Sequence, residues 1–320
     1  MSTNTRIWLI TAISLVVIGL IMFMAVMTVY NWDFTELSTG KYETNTYEIS
    51  EDFDGISMST DTADIFFAAS DDGACKVVCY EKENIKHSVN VQDGTLFINV
   101  VDEREWYDYI GMNFNTSKIT VYLPKAEYAA LFIKESTGKV EIPKDFKFSG
   151  VDISLSTGDV QFFASASELI KIKTSTGDIR IDNILAGDIE LSVSTGKVTV
   201  SDVTCNGDIK INVSTGRMNI TDTKCQNIIS NGSTGSVSLK NAIAAEKFSI
   251  ERSTGGVKFE SCDADEIFVK TNTGDVRGSL LTDKVFITQT DTGSVDVPKT
   301  VTGGRCEIST DTGDIIIKIN

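Results

Sequence analysis

The chain has 320 residues, a net charge of −16, six cysteines and one histidine. That acidity excludes a nucleic-acid partner, because phosphates call for a basic patch, and it keeps the chain in solution and off an anionic lipid surface. A single histidine leaves almost nothing for histidine-based acid–base or triad chemistry.

Met1 to Arg6 form a short polar tail, read as cytoplasmic. Ile7 to Tyr30 carry no charge. That length crosses a hydrocarbon core of about 30 Å as one helix. Ala25-Val26-Met27 is a poor cleavage site, so residues 7–30 are expected to stay as a single-pass transmembrane anchor. Arg6 precedes the span, and Asp33 and Glu36 follow it. The positive-inside bias then puts the N-terminus in the cytoplasm and the rest of the chain outside the cell membrane.

Residues 31–47 are polar and read as a tether. Residues 48–130 read as a first coil plus an inserted hairpin and cap region. The stretch Gly55 to Phe67 matches Ile308 to Ile315, with Ala63 standing where Gly313 stands. Asp93-Gly94, between Val91 and Leu96, signals a hairpin turn. Ile119, Val121 and Leu123 alternate up to Pro124, as a strand with one buried face does. The insert also holds Glu105-Trp106-Tyr107-Asp108-Tyr109. Every Trp and Tyr lies before residue 131. Trp106, Tyr107 and Tyr109, amphipathic and clustered, are the candidate contact patch. The other reading of the same residues is a lid packed on the first rung.

Residues 131–320 are repeats alone. Gly138, Gly158, Gly177, Gly196, Gly216, Gly235, Gly255, Gly274, Gly293 and Gly313 follow one another at steps of 19 or 20 residues. A period near twenty is a solenoid period. Aligned on the glycine, a unit reads Ser/Thr/Asn/Asp-Thr-Gly-x-Val/Ile. Val160 and Phe162, Ile179 and Ile181, and Val198 and Val200 then alternate, as strands do. Richness in Val, Ile and Thr, with glycine recurring, excludes helices. The fold class is therefore all-β: a parallel β-solenoid of about 19–20 residues per coil behind one N-terminal transmembrane helix. Glycine is expected to take positive φ at the corner. The Ser/Thr before it is expected to bond turn backbone. The final strand, Asp314 to Asn320, reads as an uncovered last rung open to end-to-end self-association.

Cys75 and Cys79 share a strand face but lie about 13 Å apart by strand rise, too far to bridge. Without a CxxC pair, and with His87 alone, no metal site or cofactor is expected. Cys205 and Cys225, one coil apart, are expected to stack inward in one corner column with Ala166, Leu185, Ala244 and Ala264. Cys262 falls outside that column. The residues after the glycines include Lys139, Asp159, Asp178 and Lys197. These read as opposite charges paired between rungs, a poor arrangement for calcium or for carboxylate catalysis. No enzyme is expected.

The recurrent Ser-Thr-Gly-Asp-Val/Ile, the alternating strands and the Leu96 to Pro124 segment together resemble the bacterial β-strand-repeat "putative adhesin" family of unknown function. The resemblance covers residues 48–320. It implies a bacterial cell-surface β-solenoid and supplies no catalytic motif. The expectation is a non-catalytic adhesion or envelope-interaction module, whose partner is an envelope component or surface protein. The alternative is the ectodomain of an envelope-stress sensor that works through a membrane partner.

Overall fold

The computed structural model describes residues 3–33, 41–104 and 115–320. Helix α1 runs Thr3–Val29. Its span Asn4–Val29 has a mean hydropathy of 2.8, long and apolar enough to cross a membrane. Trp8, Ile10 and Leu15 on it are all exposed. Helical hydrogen bonding satisfies the backbone from within, which is what permits a span in lipid. The helix starts before the apolar run and takes in Arg6.

All other regular structure among the described residues is strand. The first seven are β1 (Tyr42–Ile49), β2 (Gly55–Ser59), β3 (Ala63–Ala69), β4 (Cys75–Lys82), β5 (Ile85–Gln92), β6 (Thr95–Asp102) and β7 (Ser117–Leu123). The tether read over 31–47 is therefore shorter, because Tyr42 onward is strand. The insert also does more than decorate a first coil. Strands β6 and β7 pair in parallel with β2 and β3 and form the outermost rung themselves. Antiparallel strands then close that rung: β5 lies on β6, β4 on β7, and β1 on β4. A covered edge offers no row of free backbone groups to another chain.

The regular body follows: β8 (Glu127–Thr137), β9 (Val140–Ile142), β10 (Lys147–Thr157), β11 (Val160–Phe162), β12 (Ser165–Thr176), β13 (Ile179–Cys205), β14 (Asp208–Thr234), β15 (Val237–Thr254), β16 (Val257–Cys262), β17 (Glu266–Thr273) and β18 (Val276–Leu280). Ladders are parallel throughout, and residues one coil apart lie side by side. Phe162, Ile181, Val200, Ile220, Leu239 and Phe259 come round at successive rungs on the buried face. One continuous core runs from Ile56 to Ile317.

The corner glycine has a sharper cause than turn geometry. Gly196 sits at φ 153°. A Cβ there would lie 2.0 Å from the carbonyl oxygen of Gly177 on the preceding rung. The backbones of adjacent rungs approach too closely for any side chain. The Thr before the glycine does not supply the turn hydrogen bonds: Thr157, Thr176 and Thr195 face solvent. Where the inward residue three places before the glycine is a threonine, it does so instead. Thr174 and Thr271 donate to the carbonyls of Gly158 and Gly255 at 3.2 and 3.1 Å.

A second corner escaped the sequence reading. Asn183, Asp202, Asp222, Asn241 and Ser261 stand six residues after successive glycines, with φ between 48° and 55°. Asn and Asp are the side chains that tolerate this left-handed conformation best. The turn places Ala186, not Leu185, in the inward column: Ala166 pairs with Ala186, and Leu185 is 65% exposed. Cys205 and Cys225 follow directly on the pair Thr204↔Lys224 and are buried and free. Cys225 pairs with Ala244, and Cys262 lies in a different column beside Leu280.

The C-terminal end departs from chain order. Strands β19 (Lys284–Thr292) and β20 (Val295–Asp296) form the outer rung, and β21 (Gly304–Thr312) and β22 (Ile315–Ile319) slot between them and β17/β18. The expected uncovered rung at Asp314 to Asn320 is thus an inner one. A glycine period fixes which residues stack, but not the order in which coils are laid down. Among the described residues no strand pairs with the outer edge of β19. Ile287 and Val295 are 49% and 45% exposed there. Thr300 Oγ1 donates to the Lys284 carbonyl, which draws the following loop against this end.

Candidate functional site in the N-terminal cap

Trp106, Tyr107 and Tyr109, the expected contact patch, lie outside the described residues. Their flanks are described. Arg104 and Asn115 line a cleft of about 140 Å³ with Tyr42, Asp61, Lys82 and His87. Tyr42 forms one wall because β1 runs beside β4, and its ring stacks on Tyr80 at 5.0 Å. Its hydroxyl donates to the Asn115 carbonyl at 2.8 Å. The Arg104 guanidinium grips Asp102 through Nε and Nη2 at 2.8 and 2.5 Å, which holds that carboxyl below its ordinary range.

His87 connects the cleft to a buried polar cluster. Cys79 and Glu81 stand two residues apart on β4, so both side chains point inward, and the turn into β5 brings His87 over them. Ligand atoms of Cys79, Glu81 and His87 all lie within 4.8 Å of one another, and all three residues are buried. Glu81 has no exposed surface at all. A buried carboxylate is costly unless hydrogen bonds surround it. Here the Glu81 Oε2 accepts the His87 backbone N–H at 2.8 Å and meets His87 Nδ1 at 2.6 Å. Glu81 Oε1 accepts Asn45 Nδ2 from β1 at 2.8 Å. Tyr47, also on β1, donates its hydroxyl to the His87 carbonyl. Burial and the adjacent Glu81 push the Cys79 thiol up to about 12. The spacing Cys79-x-Glu81 in a strand was a legible signal of a shared face, but the partner from the next strand was not.

The rod wall holds no comparable constellation. Lys139, Asp159, Asp178 and Lys197 do not pair charge across rungs. Lys139 binds Glu141 at 2.7 Å within its own coil. The aspartates instead accept backbone N–H groups from the next rung. Asp159 Oδ1 takes the Asp178 amide and Asp178 Oδ1 takes the Lys197 amide, both at 2.8 Å. Asp64 and Asp275 repeat the device. An aspartate after the glycine is short enough to cap the corner amide left over by the turn. It therefore has a structural task at the corner.

The Toastrack DUF4097 pattern matches residues 53–212 and 204–320, most of the chain. The chain belongs to the Toastrack DUF4097 family. No curated protein is matched. Among solved structures, this Toastrack chain is similar to a "putative adhesin" of Bacteroides fragilis: 16% identical, covering 87% of this chain and 97% of that one, at TM-score 0.40. A "putative lipid binding protein" of Parabacteroides distasonis is 17% identical over 88% and 98%, at TM-score 0.48. A "putative adhesin" of Parabacteroides merdae is 13% identical over 75% and 97%, also at 0.48.

Proposed function

We propose that this protein is a membrane-anchored, extracytoplasmic β-solenoid that serves as a non-catalytic adhesion or envelope-interaction module. One observation carries the reading: an apolar helix with exposed Trp8, Ile10 and Leu15 precedes an acidic solenoid. Apolar surface all round a helix calls for lipid. An acidic rod stands off the membrane that holds it. Arg6 at the N-terminal end of the span and Asp33 after it support an N-terminus in the cytoplasm by the positive-inside bias. The partner is an envelope component or surface protein met by the rod or the cap.

Two measurements test this. A membrane-impermeant amine reagent on intact protoplasts is expected to label rod lysines such as Lys197 and Lys258; labelling only after lysis would reverse the orientation. The detergent-solubilised chain is expected to co-sediment with purified envelope fragments of the cell that makes it. A chain that stays wholly in the supernatant would remove the adhesion reading and leave the anchor untouched.

A further inference from the structure

The cluster of Cys79, Glu81 and His87 uses the chain's single histidine, one of its six cysteines and a carboxylate with no solvent exposure. Such a set inside an apolar core has two uses. It is either a hydrogen-bonded pair with a bystander thiol, or a first coordination sphere. Geometry favours the second. Three different ligand atoms, the Cys79 Sγ, a Glu81 carboxylate oxygen and a His87 ring nitrogen, converge within 4.8 Å of one another. Zinc–sulfur bonds near 2.3 Å and zinc–nitrogen bonds near 2.0 Å leave tetrahedral ligands between about 3 and 4 Å apart, so the 2.6 Å contact between Glu81 Oε2 and His87 Nδ1 has to open to admit an ion and the sulfur has to close by about 1 Å or less.

We propose that Cys79, Glu81 and His87 form a divalent-metal site of zinc type in the N-terminal cap. The charge balances: a thiolate and a carboxylate offset a dication, and the imidazole stays neutral. On binding, the Cys79 thiol releases its proton to solvent. Without an ion, His87 Nδ1 shares a hydrogen bond with Glu81 Oε2; on binding, the ring proton moves to Nε2 and the Nδ1 lone pair goes to the ion. Asn45 and the His87 backbone N–H remain on the carboxylate and orient it, as outer partners of metal ligands do. The cleft beside His87 and Asp61 gives an ion a path from solvent. A water from that cleft completes a fourth position.

The site also has a mechanical sense. β1 is the first strand after the membrane helix in the chain, and its Asn45 holds Glu81. β4 and β5 carry the three ligands and cover the outer rung. An ion would therefore clamp the strands through which a pull on the rod reaches the anchor.

The test uses the full chain in detergent, stripped with chelator, loaded with Zn²⁺ and dialysed. About one zinc per chain should remain by elemental analysis. Co²⁺ in its place should give thiolate-to-metal charge-transfer absorption. Cys79→Ser should abolish that absorption and weaken zinc retention about tenfold or more. His87→Gln should weaken retention similarly. Cys205→Ser with Cys225→Ser should change neither readout. Zinc should raise the melting temperature of the wild type but not of Cys79→Ser, whose metal-free circular dichroism serves as the folding control. A wild-type chain that keeps no zinc overturns the proposal. So does cobalt absorption that survives Cys79→Ser, or that disappears with the Cys205 and Cys225 substitutions. Because wild-type retention decides by itself, a Cys79 variant that fails to fold leaves the test intact.

Discussion

One inward column of the solenoid is handled in two ways. In the regular body it carries Thr174 and Thr271, whose hydroxyls bond glycine carbonyls one rung away. Next to the cap the column carries Thr60 and Glu135, and there Thr60 Oγ1 and Glu135 Oε2 have no partner. The difference follows the corner. In the body the corner residue is glycine, so the rungs close up and the carbonyl meets the hydroxyl. Beside the cap it is Ala63, whose N–H meets Glu135 Oε1 at 3.2 Å. The column itself is not uniform, since Thr174 stands between Leu155 and Val193; what satisfies its threonines is the glycine corner of an adjacent rung, and where that corner changes, buried side chains must find individual solutions. The Cys79, Glu81 and His87 cluster lies on the same side of that boundary.

The comparison breaks most readily at the body's corner. Gly196→Val sets a side chain against the Gly177 carbonyl oxygen, 2.0 Å from the new Cβ, at a φ that branched residues avoid. Strain and overpacking together should cost about 3–6 kcal/mol. Gly150 has ordinary φ and open space around a Cβ, so Gly150→Ala should change stability by less than about 0.5 kcal/mol. Equal denaturant midpoints for the two variants would show that rung spacing does not demand glycine.

What the sequence made legible follows the same line. The glycine period, the alternation after it and the Cys205–Cys225 register rest on nearest-neighbour identity, and all were readable. Three features were not. The second corner at Asn183 and Asp202 hid because Asn and Asp look like ordinary surface residues. The order of coils at both ends was hidden because register is blind to sequence of assembly. The Cys79, Glu81 and His87 cluster needed the turn between β4 and β5, which no spacing rule supplies. Leu185 was misplaced by a single residue, and in a strand one residue is enough to turn a side chain outward.

Glu135 gives the next largest effect. Burial raises its carboxyl from about 4.5 to about 8. The folded chain therefore keeps a proton that the unfolded chain releases as pH climbs past 4.5. Stability from this residue is fully present below that point. It declines as pH rises and levels off above about 8. Glu135→Gln keeps the shape without the charge. Its stability should match wild type near pH 4 and exceed it at pH 9 by about 2–4 kcal/mol. The reading is the difference between the two unfolding curves at each pH, which removes the titrations the proteins share. A constant difference across that range would mean that Glu135 sheds its proton without penalty, and that the cap side of the column is as well satisfied as the body.

The smallest effect separates two explanations of the acidic corner. If Asp178 served by attracting Lys197 on the next rung, losing either side chain would cost the same. The coordinates assign the work to the Asp178 carboxylate and the Lys197 backbone N–H, 2.8 Å apart, and the Lys197 side chain makes no ion pair among the described residues. Asp178→Ala strands that amide at the corner and should cost about 1 kcal/mol, the usual worth of one hydrogen bond. Asp178→Asn retains an oxygen at the same reach and should lose less, because only the charge assistance goes. Lys197→Ala leaves the amide and its acceptor in place, so its unfolding midpoint should stay within about 0.5 kcal/mol of wild type. A Lys197→Ala loss as large as that of Asp178→Ala, and one that disappears at high salt, would restore charge pairing between rungs as the reason for aspartate after the glycine.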